Sequence, residues 1–398
     1  MSLTDNIYKY IFYLALFVVL SVLFFTVDGL SISYKEALNV YVNNSLLSII
    51  TNGSIYIFGE NDYALRTPFI ITYFFSVILM YKLTENLFKK NIDRLISILI
   101  FMLLPGLLSA ALLVNSAIIV TFLTIVYLYY LKTTQKHSYI LLLLFLFIDN
   151  SFAIFFLALF FFSLKEDDKK LLFVSLILFA VSMALYGFDT GGKPRGFLVD
   201  TFGIYASIFS PLLFIYFFYT IYREGVKGDR HIVWYISATS LAFSLLFSFR
   251  QRIYIEDYAP FVVIFLPYMV KNFVHSFRVR LPQFRTKHIY ITILTLLVLV
   301  LNATITIFNK PLYLILDNPK KHFAYKYNIA KELALKLKEN NIDEIESDEK
   351  ELILRLKFYG IKEGRKYFVS TRKQYYFDNE IPINYLGKTV ANAYIIKN

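Results

Sequence analysis

The sequence predicts an all-α polytopic membrane domain of about eleven transmembrane helices, followed by a small C-terminal α/β domain on the outer face. Three observations carry that expectation. Of the 398 residues, 57% are hydrophobic and only 18% are charged, against about 45–50% and about 25% in water-soluble domains. Apolar runs near twenty residues long, the length that crosses the hydrocarbon core, recur as far as residue 307. From Lys310 onward the chain becomes charged and mixed in pattern. A soluble enzyme is excluded.

The first apolar run, 8–27, carries one charge at its start and is followed by no small-residue cleavage site, so it reads as an uncleaved span. Residues 28–66 form a polar outer loop with two weakly amphipathic pieces, near 34–42 and 45–58, of the kind that lie on a membrane surface. Further spans are expected at 67–84, 95–113 and 114–131. Asp149-Asn150 divides 138–164 into two short helices meeting at a polar turn. The remaining spans fall at 170–187, 202–222, 231–249, 259–276 and 289–307.

Charge supports this order. With the N-terminus inside, the inner loops hold seventeen Lys and Arg; the outer segments hold six, namely Lys35, Arg66, Lys193, Arg195, Arg250 and Arg252. Basic residues collect on cytoplasmic loops, and the same bias explains the net charge of +12 without a nucleic-acid partner. The expected domains are therefore 1–309 in the membrane and 310–398 outside. The outer part reads as a helix over Tyr327–Asn340, a strand near Ile342–Ser347, a helix near Lys350–Tyr359, and strands near Lys366–Ser370 and Ala393–Ile396.

Several chemistries drop out. With no Cys there is no disulfide, thiolate metal site, iron–sulfur cluster or cysteine nucleophile. No G-x-x-x-x-G-K or G-x-G-x-x-G run occurs, and no spaced His pair suggests a metal centre. What remains are ionisable residues at the outer membrane boundary. Asp28 ends the first span and Glu36 follows eight residues later, so both can reach one outer cavity. Two such carboxylates can bind a divalent cation or take a proton from an acceptor hydroxyl; Asp28 can equally serve only to cap its helix. Arg66, at the mouth of the next span with Pro68 in its first turn, either grips a phosphate through two N–H groups or pairs with Asp62 or Asp28. Arg250 and Arg252 suit a lipid-borne phosphate, or else join an interfacial Arg/Tyr belt. Lys193 and Arg195 lie on a Gly-rich outer loop as surface contacts.

The run Ile57-Phe58-Gly59-Glu60-Asn61-Asp62-Tyr63-Ala64-Leu65-Arg66-Thr67-Pro68 resembles the segment before the second span of family 39-type glycosyltransferases. These GT-C superfamily enzymes include protein mannosyltransferases and the aminoarabinose transferases acting on lipid A. Tyr254 to Tyr268 resembles their late Y-x-x-P-x-x-P segment through Tyr258, Pro260 and Pro267, and an outer domain containing Leu354–Gly360 (LRLKFYG) also fits. The resemblance implies a GT-C-like fold in the inner membrane of the cell envelope. It implies transfer of a sugar from a polyprenyl-phosphate carrier to a glycan, lipid or protein acceptor outside. Asp28 matches the first residue of the family's Asp-Glu pair, Gly29 stands at the second, and Asn115 stands where a "P-D" acid opens the fourth span. On that basis Asp28 is the catalytic carboxylate and Glu36 the candidate for the missing acid. Arg66, Arg250, Arg252 and Tyr258 are the substrate-binding set. The two replaced acids leave a second expectation open: a non-catalytic relative that binds or moves a lipid-linked glycan.

Overall fold

The structure is a computed structural model describing residues 3–187, 190–191, 196–228 and 230–397, so Lys193 and Arg195 lie outside the described residues. Helices dominate up to Ile307, and a four-stranded sheet closes the chain. Two compact units share the sequence. One comprises Met1–Leu20, Ile71–Ala111 and Asn115–Ala303; the other comprises Ser21–Ile70, Leu112–Val114 and Thr304–Asn398.

The first unit is a set of apolar helices. Among the described residues five candidate spans are long and apolar enough to cross a membrane: Asn6–Val27, Asp62–Leu83, Ala117–Thr134, Ala259–Val279 and Pro282–Ile307. Two bent pairs, Asn91–Met102 with Pro105–Leu112 and Leu198–Phe209 with Pro211–Lys227, raise the number to seven. Eleven are expected from the apolar runs; breaks account for part of the difference, and the unbroken helices Lys169–Leu185 and Ile232–Ser248, at 17 residues each, account for two more. The run 202–222, expected as one span, turns through 105° between its two helices. Ser210 there has φ 78° and Pro211 starts the second helix. Proline disfavours helical backbone in the residue before it. The expected interruption at Asp149-Asn150 is present, between helices Tyr139–Ile148 and Phe152–Glu166. The 10-residue and 15-residue pieces that result are each shorter than a full crossing.

Broken backbone at membrane depth must find hydrogen bonds inside the protein. Helix Ile232–Ser248 carries buried hydroxyls that bond the backbone where the chain enters helix Ala259–Val263. Ser237 Oγ donates to the Phe261 carbonyl at 2.7 Å and Ser240 Oγ to the Tyr258 carbonyl at 2.8 Å, beside Pro260. Phe145, Phe152, Phe155 and Phe261 pack together, the first two rings stacked 4.3 Å apart.

The second unit joins the segment after the first helix to the C-terminal chain. Helix Tyr34–Tyr41 begins with a capping box, in which Ser33 and Glu36 bond each other's backbone amides. Helix Leu46–Phe58 is apolar along its length yet buries Ser48, Thr51 and Ser54 and exposes Ile49, Tyr56 and Ile57. In the C-terminal part, helices Ala330–Glu339 and Lys350–Lys357 pack on strands in the order Glu344–Glu346, Lys362–Ser370, Lys388–Lys397, Asn379–Tyr385. The first pair is parallel and the others are antiparallel. Leu333, Leu337, Ile345, Leu356, Val369 and Ile383 are among the residues of its core. Strand Asn379–Tyr385, not among the expected strands, contains Pro382. Its place at the sheet edge, where one side needs no partner, tolerates the missing N–H.

Candidate functional site

Asp28 follows the last residue of helix Leu3–Val27 and keeps 69% of its side chain exposed. It lines two cavities that also share Tyr63. One, of about 420 Å³, is bounded by Phe25, Leu30, Ile307, Phe308 and Pro311, with Lys310 as its cation. The other, of about 500 Å³, carries charge beside aromatic surface: Glu60, Asp62, Lys331 and Lys338 line it with Phe358 and Tyr359. An apolar cleft at the ends of two membrane helices thus meets a charged chamber, and the carboxylate of Asp28 stands at both.

A chain of charges runs inward from Asp28. Lys331 Nζ lies 2.8 Å from Asp28 Oδ1 and 3.1 Å from Asp62 Oδ2. Asp62 Oδ1 takes Arg66 at 3.2 Å and the Tyr359 hydroxyl at 2.8 Å. Arg66 also lies 3.7 Å from Glu36 Oε2. The hydrogen bond from Lys331 and then its charge, with Lys310 adding less, outweigh burial and hold the Asp28 carboxyl below its ordinary value of 3.8. Burial alone disfavours the Lys331 ammonium, but its bonds to Asp28 and Asp62 overcome this and raise its pKa. The lowered acid adds stability that is lost only as pH falls through its folded pKa. The raised base adds stability lost only as pH rises through its own. Between these limits both groups stay charged. Burial, then the charge of Asp62, pushes the Tyr359 hydroxyl up, so it remains a donor. Burial also lowers the Lys310 ammonium.

The geometry separates the residues singled out in the sequence. Arg66 is fully buried, and its guanidinium donates to the carbonyls of Leu112 at 3.0 Å and Ser31 at 3.1 Å besides pairing with Asp62. Of its two sequence readings, the ion pair with Asp62 is the one formed, and no face of it opens to a lipid phosphate. Glu36, 1% exposed, accepts from Ser33 N at 2.8 Å and Val114 N at 3.0 Å. The expected shared cavity with Asp28 is therefore not formed. The eight-residue spacing would bring them together only on a continuous helix, and the chain leaves helix at Asp28 and re-enters it at Tyr34. Arg250 and Arg252 belong to the other unit and are exposed, Arg252 in a two-residue strand paired with Thr190–Gly191. Tyr258 is buried there, its carbonyl held by Ser240.

Lys331, Lys310 and Tyr359 were not anticipated as site residues. Tyr359 lies within the LRLKFYG run; neither lysine stands out from its neighbours in sequence. Among the described residues no group of three or more His, Cys, Asp and Glu could hold a metal ion. The donor set points the same way. The Asp28 and Asp62 oxygens facing each other are bonded to an ammonium, and the other Asp62 oxygen to a guanidinium and a phenol. These carboxylates do not fit a divalent ion as they stand.

Residues 46–148, about a quarter of the chain, match the dolichyl-phosphate-mannose-protein mannosyltransferase family. The matched stretch contains the Ile57–Pro68 run and is similar to membrane glycosyltransferases of the GT-C type. No curated protein matches the sequence at a significant level. Together with the apolar helices, the match marks an integral membrane protein.

Proposed function

We propose that this protein is a membrane glycosyltransferase that moves a sugar from a polyprenyl-phosphate carrier to an acceptor on the extracytoplasmic face. The observation that carries the reading is the position of Asp28, an exposed carboxylate lining both an apolar cleft and a charged chamber. The cleft suits the first isoprene units, with Lys310 beside the phosphate. The chamber, at about 500 Å³, has room for a sugar and an acceptor hydroxyl.

Each residue then has a task. The acceptor oxygen bonds to the anomeric carbon while the carbon–oxygen bond to phosphate breaks, and the electron pair leaves on the phosphate. Asp28, kept ionised by Lys331, takes the acceptor proton and later passes it to water. Lys310 offsets the charge growing on the departing phosphate. Attack from the face opposite the phosphate inverts the anomeric centre. Asp62 holds Lys331, Tyr359 and Arg66 hold Asp62, and Glu36 holds Arg66 and the loop beneath it.

The test is transfer of labelled sugar from a polyprenyl-phosphate donor by purified protein in vesicles, read as free polyprenyl phosphate and labelled product. Gly29 and Asn115, standing where the family has acids, favour the second reading, a protein that binds or moves the lipid-linked glycan. Saturable donor binding with no turnover would establish that reading instead.

Two further parts of the proposal have their own tests. Domain 310–398 is assigned to the extracytoplasmic side of the inner membrane on the seventeen-to-six charge asymmetry. A green fluorescent protein fused after Asn398, which matures only in the cytoplasm, should stay dark; bright fluorescence would reverse the orientation. Arg250 and Arg252, exposed cations of the other unit, are assigned a polyprenyl-phosphate contact within that unit. The double change Arg250→Ala, Arg252→Ala should weaken polyprenyl-phosphate binding about tenfold or more, as loss of a charge-assisted contact does. Unchanged affinity would make them interfacial anchors.

A further inference from the structure

An ammonium has three N–H donors, and Lys331 finds three oxygens. They are Asp28 Oδ1 at 2.8 Å, the Asp28 carbonyl at 2.8 Å and Asp62 Oδ2 at 3.1 Å. Two carboxylates and a backbone carbonyl are hard oxygen ligands, the set that Mg²⁺, Mn²⁺ and Ca²⁺ take. Here the set closes on a side chain. The lysine is held in place from both directions. It sits in the first turn of helix Ala330–Glu339, whose Leu333 and Leu337 are in the core of the C-terminal part. On the other side Asp62 is 4% exposed and anchored by Arg66 and Tyr359.

We propose that Lys331 is a built-in counter-cation that fills the position between Asp28 and Asp62 at which a divalent ion would be chelated, so that the site works without metal and Asp28 is positioned by the lysine. Lys331 is on this view a positioning residue. It fixes the rotamer and the ionisation of Asp28 without touching the transferred sugar. A single ammonium brings one positive charge where a divalent ion would bring two, which leaves the donor phosphate to Lys310, in the neighbouring cleft. The catalytic half of this inference rests on the glycosyltransferase reading; the occupancy half does not.

The experiment uses the full-length protein in lipid nanodiscs with Mn²⁺ as the probe, followed by electron paramagnetic resonance. Wild type should show no saturable Mn²⁺ binding. Lys331→Met, which keeps most of the length of the side chain and removes its charge, should bind Mn²⁺ saturably. Adding Asp28→Asn should abolish that binding. Saturable binding by wild type that Asp28→Asn removes would overturn the proposal, as would a folded Lys331→Met with no gain. Lys331→Gln is the second variant should the methionine protein not fold. If neither folds, Mn²⁺ binding by wild type decides alone.

Turnover supplies an independent arm. Wild-type transfer should survive chelators, and the acid limb of kcat against pH should move upward in Lys331→Met, because Asp28 then regains an ordinary carboxylate pKa. An unmoved acid limb would confine Lys331 to a structural role. Absence of transfer by wild type with any donor overturns the glycosyltransferase reading and leaves the Mn²⁺ result standing. Saturable wild-type Mn²⁺ binding that Asp28→Asn removes overturns the lysine assignment whatever the turnover.

Discussion

Asp28→Asn is expected to lower the rate of sugar transfer by about 10²-fold or more while the protein accumulates normally, because a general base contributes on that scale. The amide keeps the size of the side chain and its capacity to cap a helix end, but it cannot accept a proton from an attacking hydroxyl. It also loses the charged half of the bond to Lys331, and that loss is modest because Asp28 is largely exposed. Folding should therefore change by no more than about 0.5–1 kcal/mol. Measured in membranes holding equal amounts of each variant, wild-type-like turnover in Asp28→Asn would remove this residue from the chemistry. Donor affinity is the useful companion measurement. A base acts on the bound complex, so kcat should fall while KM stays close to wild type.

Arg66→Ala should show the opposite profile. The guanidinium is fully buried between Asp62 and Glu36 and ties the Ser31 and Leu112 carbonyls together. Its removal takes the guanidinium from two buried carboxylates, leaving Asp62 with Lys331 and Tyr359 and Glu36 with two backbone amides, and breaking a buried pair costs about 3–5 kcal/mol. The expected result is loss of folded protein, seen as low yield and a large fall in thermal midpoint. Arg66→Lys should recover only part, since an ammonium restores charge but not the fork that reaches two carbonyls at once. If Arg66 instead gripped the carrier phosphate, the alanine variant would fold normally and lose only lipid affinity. Glu36→Gln belongs with this prediction: it should read as a stability defect, with transfer per folded molecule retained.

Much of this arrangement is legible without coordinates. The membrane character, the polar loop after the first span, the break at Asp149-Asn150 and most of the C-terminal helices and strands follow from hydropathy and composition. Asp28 stands out because a carboxylate at the end of a long apolar run is costly unless it faces water. The Asp62–Arg66 pair is readable from its four-residue spacing. Ser33-Tyr34-Lys35-Glu36 carries the S-x-x-E pattern of a capping box, a signal that would have given Glu36 its structural place; reading its distance from Asp28 as helical spacing hid it.

The number of full crossings and the partners of the carboxylates are different in kind. Ser210-Pro211 turns one apolar run into two helices, and running hydropathy does not register a single torsion of φ 78°. Lys331 meets Asp28 across 303 positions, and Tyr359 meets Asp62 across 297. Local propensity and periodicity act over a turn or two, so the sequence by itself determined a membrane protein with an ionised residue at the water boundary of its first helix. Which cation that residue binds depends on how the C-terminal helix Ala330–Glu339 packs within its unit. Only the tertiary structure decided that Arg66 and Glu36 are buried supports and that a lysine stands between the two aspartates.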